Sequence, residues 1–136
     1  MPHAIRNVDR ALIGEVCVEF SVRKRADTPA GIADGVSHFS SRGPTGDGRM
    51  KPDLLAPGEK IESCVLDGDI QRMDGTSMAA PHVSGAAAML LARNGELIGN
   101  PGRVKQILCE TATDLGRIPE FQGAGLLDCL RALQAV

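Results

Sequence analysis

The hydrophobic rhythm of the chain changes near its midpoint. Up to about Thr76, apolar residues come in short runs or alternate with polar ones. Beyond it they recur at helical spacing. Residues 11–20 (ALIGEVCVEF) are rich in β-branched residues and read as a strand. Arg23, Lys24 and Arg25 form a short basic cluster that reads as a solvated loop. Residues 27–35 carry a proline and two glycines and read as a turn. Residues 36–41 (VSHFSS) alternate as a short strand would, and 42–49 (RGPTGDGR) form a loop. Residues 53–56 (DLLA) read as a buried strand stopped by Pro57 and Gly58, and 60–66 (KIESCVL) as a further strand.

The second half predicts helices. Thr76–Arg93 is rich in Ala, Met and Leu on nearly every side, which predicts a buried helix. The reading places Pro81 in its first turn, where proline costs little, and ends it at Asn94 and Gly95. Pro101 opens a second helix carrying Val104, Ile107 and Leu108 and running to about Thr111. Residues 125–133 (GLLDCLRAL) predict a third. No internal repeat or low-complexity tract interrupts the 136 residues, which suit one domain or part of one. Strands giving way to helices place the chain in the α/β class.

Composition narrows the function classes. The chain is 43% hydrophobic and 24% charged, with 15 Lys plus Arg against 17 Asp plus Glu. A net charge of −2 offers no basic excess for a general polyanion binder, and the hydrophobic content argues against disorder. There is no Trp or Tyr, and the only Phe are Phe20, Phe39 and Phe121, so stacking platforms for single-stranded nucleic acid are missing. The core must be aliphatic. The longest candidate run, 86–92, falls well short of the roughly 20 residues of a membrane span. Residues 1–10 lead into no clean hydrophobic region of a signal peptide. Cys17, Cys64, Cys109 and Cys129 form no CxxC pair and no zinc-ligand spacing. They read as free, mostly buried thiols of a reducing compartment, which points to the cytoplasm; the even count leaves one or two bridges open.

The candidate chemistry lies in residues 74–85, DGTSMAAPHVSG. Ser77 falls at a helix N-terminus, where backbone N–H groups lack partners and the macrodipole is positive. An oxyanion forming beside Ser77 would meet its own N–H. Gly75 permits close backbone approach, and Ala79, Ala80, Gly85 and Ala86 permit tight packing behind it. By position alone, such a serine is a helix cap. The complete string decides otherwise.

GTSMAAPHVSG (75–85) resembles the nucleophile motif of the subtilisin-like serine peptidases, the subtilases. HFSSRGP (38–44), KPDLLAPG (51–58) and GAGLL (123–127) resemble further family segments in the family's order. The resemblance divides the chain into a poorly matching segment, 1–34, and residues 35–136, similar to the C-terminal portion of the catalytic domain. It implies a parallel-sheet α/β fold with a buried central helix starting at the nucleophile. It makes Ser77 the catalytic nucleophile and its backbone N–H an oxyanion donor, with Gly75, Thr76 and Pro81 as motif support. It implies serine-type endopeptidase activity on polypeptides; from charge, aromatic content and hydropathy, no nucleic-acid or membrane partner is expected.

The family triad also needs an Asp and a His, in Asp-Thr/Ser-Gly and His-Gly-Thr type motifs, and an oxyanion Asn in an Ala-Gly-Asn type motif. None of these strings occurs here, and the neighbours of Asn7 (IRNVD) do not match. His82 lies five residues after Ser77, about 140° round and about 7.5 Å along a helix, too far for its ring to reach the hydroxyl. It reads as structural, His38 as a packing or surface residue, and His3 as part of a tail. An unactivated hydroxyl is a weak nucleophile. The expectation is a chain inactive alone, either a piece of a longer catalytic domain or one that pairs with an N-terminal half supplying Asp and His. A non-catalytic interaction or pseudoenzyme module is the alternative. With about three strands for its helices, low stability is expected. No cofactor is identified: RGPTGDGR lacks the GK[ST] of a phosphate loop, and Asp67, Asp69 and Asp74 lack EF-hand spacing. Some subtilases bind calcium, and no ligand for it is placed here.

Overall fold

The computed structural model describes residues 21–23 and 33–136. The strand expected at 11–20 lies outside these residues, as do Lys24, Arg25, His3, Asn7, Cys17 and Phe20. Strand β1 (Ser21–Arg23) pairs antiparallel with β2 (Ala33–Gly35), Ser21 opposite Gly35. The end of the turn expected at 27–35 is therefore a strand, with Gly35 as its last residue.

The strand expected at 36–41 is instead a turn. Ser40 N–H donates to the Ser37 carbonyl at 3.0 Å, and both serines are buried while His38 is exposed. The polar positions that gave the segment its alternation are turn formers. The loop at 42–49 is as expected: Gly48 N–H donates to Thr45 O and Thr45 N–H to Arg49 O. Arg42 lies over the Phe121 ring, 4.5 Å from its centroid.

Residues 53–56 are extended and deeply buried, with Leu54, Leu55 and Ala56 at 0% exposure. Among the described residues they pair with 124–127. Ala124 N–H donates to Asp53 O, Leu55 N–H to Gly125 O, and Leu127 N–H to Leu55 O, each at 2.8 Å. On its other side Leu126 exchanges two 2.8 Å hydrogen bonds with Thr113. The Leu55–Leu126 bridge is the parallel pairing among the described residues; the longer ladders are antiparallel hairpins. This pairing also corrects the helix expected at 125–133. Its first residues are held extended from both sides, and the helix starts only after Asp128, whose carboxylate accepts the Arg131 N–H at 2.9 Å.

Strand β3 (Ile61–Cys64) and β4 (Ile70–Met73) form a hairpin, Ile61 opposite Met73 and Cys64 opposite Ile70. A 3₁₀ turn, Leu66–Gly68, closes it, with Asp67 and Gly68 at φ +67° and +78°. β4 is exposed along its whole length.

Helix α1 spans Thr76–Arg93. Ala79, Val83, Ala86, Ala87 and Leu90 form one buried stripe at i, i+4, i+7, i+8 and i+11. Against it pack Leu97 of a 3₁₀ turn (Gly95–Leu97), Val104, Ile107 and Leu108 of α2 (Pro101–Glu110), Ala132 of α4 (Cys129–Gln134), and Leu54 and Ala56. The expected burial on nearly every side is met along this stripe. Pro81, Gly85, Ala88, Met89 and Ala92 on the remaining surface are exposed, because the described elements cover α1 from one side. Asn94 and Asn100 cap the next two elements through their side-chain carbonyls, accepting from Glu96 N and Arg103 N.

A short helix that the pattern did not suggest, α3 (Pro119–Gln122), carries the buried Gln122. The Gln122 side-chain carbonyl accepts from Leu115 N at 3.0 Å, and its amide donates to Asp114 Oδ1 at 2.6 Å. These bonds shape the 114–118 loop. The Asp114 carboxyl is held below its ordinary pKa, first by the Gln122 amide and then by the Gly116 N–H.

Candidate active site

The site is built where the β3–β4 hairpin returns to α1. Gly75 adopts φ +150°, ψ 163°, a conformation that side chains avoid. A Cβ there would meet nothing closer than Met78 Sδ at 3.6 Å, so the demand for glycine comes from the backbone angle and not from space. Gly75 N–H donates to Gly58 O at 2.8 Å, and the Asp74 carboxylate accepts the Lys60 N–H. These two bonds fasten both ends of the hairpin, so the turn carrying Ser77 is tied to the segment that continues from buried Ala56.

Thr76 and Ser77 are the first two residues of α1, as the sequence predicts. Met78 N–H donates to Gly75 O at 3.0 Å. The helix itself offers no acceptor to the N–H groups of Thr76 and Ser77, which stay aimed past its end. Ser77 is exposed.

Pro81 lies one turn further in than expected, as the sixth residue of α1. Its ring nitrogen carries no hydrogen, so the Ser77 carbonyl four residues back receives no helical N–H from it. The proline thus loosens the backbone bonding of the residue proposed to do the chemistry.

His82 behaves as the spacing predicts. Its Nδ1 lies 2.9 Å from the Met78 carbonyl, which accepts from the Nδ1–H tautomer, and the ring is held along the helix. Among the described residues, no hydrogen bond joins Ser77 Oγ to another side chain; His82 Nδ1 and the Asp74 carboxylate have other partners. His38 packs edge-on against Phe39, centroids 5.3 Å apart.

A pocket of about 450 Å³ opens directly from Ser77. Ile61, Val65, Met73, Met78 and Pro81 form its apolar wall, with Glu62, Cys64 and His82 also lining it. The sequence singled out neither this pocket nor β4. The signal in Ile70–Met73 is four residues long with one turn of alternation, too short to stand out from its loop.

Cys64, Cys109 and Cys129 are free thiols, and Cys64 is exposed rather than buried, because β3 is a strand of an open hairpin. Burial, and then the neighbouring Asp53 carboxylate, push the Cys109 thiol above the ordinary range. Burial and Asp128 do the same at Cys129. Asp69 Oδ1 accepts the Ile70 N–H at 2.8 Å, and Asp74 is spent on Lys60. Among the described residues no three metal-ligating side chains converge.

The model of the subtilase family matches residues 21–125. The human membrane-bound transcription factor site-1 protease is 40% identical over 110 residues, covering 74% of this chain and 10% of that protein. Serine protease AprX of Bacillus subtilis is 36% identical over 118 residues, covering 75% of this chain and 26% of that protein. Among solved structures, the Clostridium perfringens CspB protease superposes with a TM-score of 0.65 at 35% identity, over 74% of this chain and 24% of that one. The prenylagaramide maturation protease PagA superposes with a TM-score of 0.58 at 31% identity, over 73% and 37%. The chain thus spans about a quarter or less of these two curated relatives. A family match over most of the chain, with the motif serine opening α1 as the family pattern implies, places this chain in the subtilase family.

Proposed function

We propose that Ser77 is the nucleophile of a serine-type endopeptidase whose Asp and His come from an N-terminal half that this chain does not itself supply. The observation that carries the reading is the motif GTSMAAPHVSG folded as the strained Gly75 turn and the first turns of α1, with Ser77 exposed at the mouth of a pocket.

The chemistry follows from that placement. A supplied His takes the proton from Ser77 Oγ as the oxygen attacks the scissile carbonyl carbon, forming a C–O bond. The negative charge moves to the carbonyl oxygen and is met by the Ser77 N–H at the helix start. The C–N bond then breaks as the His returns the proton to the leaving amine. Water, deprotonated by the same His, releases the acyl group and restores Ser77. The supplied Asp orients the His and stabilises its cation. Polypeptide is the substrate class.

Intact mass after exposure to a fluorophosphonate tests the reading. The chain alone should take up no adduct. Mixed with an N-terminal half of a subtilase catalytic domain carrying the Asp, His and Asn motifs, it should take up one equivalent, and Ser77→Ala should take up none. Absence of adduct in the mixture, or an adduct that survives Ser77→Ala, would overturn it.

A further inference from the structure

We propose that Asp74 is a positioning residue for the reaction at Ser77: its carboxylate braces a one-residue bulge at Lys60, and that bulge sets the aim of the serine turn. The inference rests on the reading of Ser77 as nucleophile, because an attacking oxygen is what needs that aim.

The hairpin register locates the bulge. In the ladder Ile61 lies opposite Met73. Carried one step towards the root, that register puts Lys60 opposite Asp74. The next backbone bond runs from Gly75 N–H to Gly58 O at 2.8 Å. From Ile61 back to Gly58 is three residues, while from Met73 on to Gly75 is two. One extra residue therefore lies on the β3 side. Lys60 has the backbone of such a residue: its φ is +56°, in the left-handed region that lysines seldom enter. A bulge of this kind bends its strand and re-aims the residues beside it. Here they lead through Gly75, at φ +150°, into Thr76 and Ser77.

Lys60 needs a brace, since its side chain makes the left-handed backbone unfavourable. The Asp74 carboxylate supplies it by accepting the Lys60 N–H. The β3 side of the bulge is the fixed side. Gly58 is buried, it follows an Ala56 with no exposed surface, and Glu59 accepts from the Oγ of buried Ser37 at 3.4 Å. Asp74 and Ser77 are exposed. The Lys60–Asp74 bond accordingly passes position from the core to the serine turn. Lying at the surface, it contributes little to stability. Its effect is on where the Ser77 N–H and Oγ point, and a small misplacement there slows the attack steeply.

Two measurements on the full chain test this. Fluorophosphonate labelling of Ser77, in the mixture with an N-terminal half of a subtilase catalytic domain, reads the aim; maximal rate and half-saturating concentration are taken separately. Hydrogen exchange of the Lys60 amide, in the chain alone, reads the bond. Asp74→Ala should lower the maximal rate about tenfold at an unchanged half-saturating concentration. It should also speed Lys60 exchange about tenfold. Asp74→Asn keeps an acceptor oxygen in place and should bring both back to within about twofold of the parent. Asp74→Glu keeps the charge but displaces the oxygens by a methylene, so it should label as slowly as Asp74→Ala, and it replaces that variant should Asp74→Ala not fold. Lys60→Gly keeps the N–H and suits the left-handed backbone, so it should label at the parent rate. Urea midpoints of the Asp74 variants should stay near the parent's.

The proposal is overturned if Asp74→Glu or a folded Asp74→Ala labels like the parent, if Asp74→Asn is as slow as Asp74→Glu, or if Lys60→Gly slows with them. A labelling rate that falls only in step with the urea midpoint also overturns it. All of these outcomes leave Ser77 as the nucleophile. A parent mixture that takes up no label overturns both readings, and Lys60 exchange that still answers to Asp74 would then make the bond a fastening of the hairpin alone.

Discussion

Glycines divide sharply by what their backbones do. Gly75 holds a conformation close to glycine-only, so Gly75→Ala should cost about 2 kcal/mol of stability. Gly123 combines φ +59° with backbone crowding: a Cβ would sit 2.2 Å from Pro52 O and 2.4 Å from Asp53 O. Gly123→Ala should cost about 3 kcal/mol or more, because backbone atoms cannot step aside as a side chain would. Gly85 lies in α1 with nothing within 4 Å, and Gly85→Ala should gain about 0.5–1 kcal/mol through helix propensity. Urea midpoints at unchanged slope check the ranking. A Gly123→Ala as stable as the parent would mean that the 53–56 and 124–127 segments separate easily. The sequence singled out Gly75 through its motif. Gly123 was legible only as the first residue of GAGLL; its crowding was not, because the backbone that crowds it lies some seventy positions away.

At the level of elements, legibility followed the length of the signal. Thr76–Arg93 was readable to the residue because a long Ala-rich run meets Asn94 at its end. Pro101 fixed the start of α2 in the same way. The segment 125–133 was read as one helix because its apolar spacing is helical throughout. What overrode it was pairing with Leu55 and Thr113, a tertiary fact invisible in a local window. The same limit hid α3, only four residues long, and the hairpin partner β4. Of the candidate site, Ser77 and its turn were legible because a contiguous motif carries them. The pocket was not, since its wall joins two strands to a helix. Within α1, Leu90 has no exposed surface and Met89 is 43% exposed. Leu90→Ala should therefore cost about 3 kcal/mol and Met89→Ala less than about 1 kcal/mol. Equal costs in thermal or urea unfolding would place a cover over the open side of the helix.

For the molecule as a whole, the core runs from α1 through α2 and α4 to the buried 54–56 segment, and it is tied at its edge by charge. Asp53 meets Lys51 and, at 3.1 Å, Lys105 of α2, with exposures of 14–27% across the three side chains. The thiols of Cys109 and Cys129 lie against the same core. Their folded-state pKa values are raised, so the folded chain keeps those protons when the unfolded chain begins to lose them. Their stabilisation is complete below the unfolded thiol range, about pH 8.5, and is lost as pH climbs through the higher folded values. Urea unfolding under reductant should show stability falling as pH rises above about 8.5, with a smaller fall in Cys109→Ala. An identical fall would remove that thiol from the account. The bonds from Gly75 to Gly58 and from Lys60 to Asp74 have a further consequence. They close the hairpin at its root like a drawstring, so length added at its Asp67–Gly68 tip is not passed on to the serine turn. That tip is where a foreign peptide can be grafted while the geometry around Ser77 is preserved.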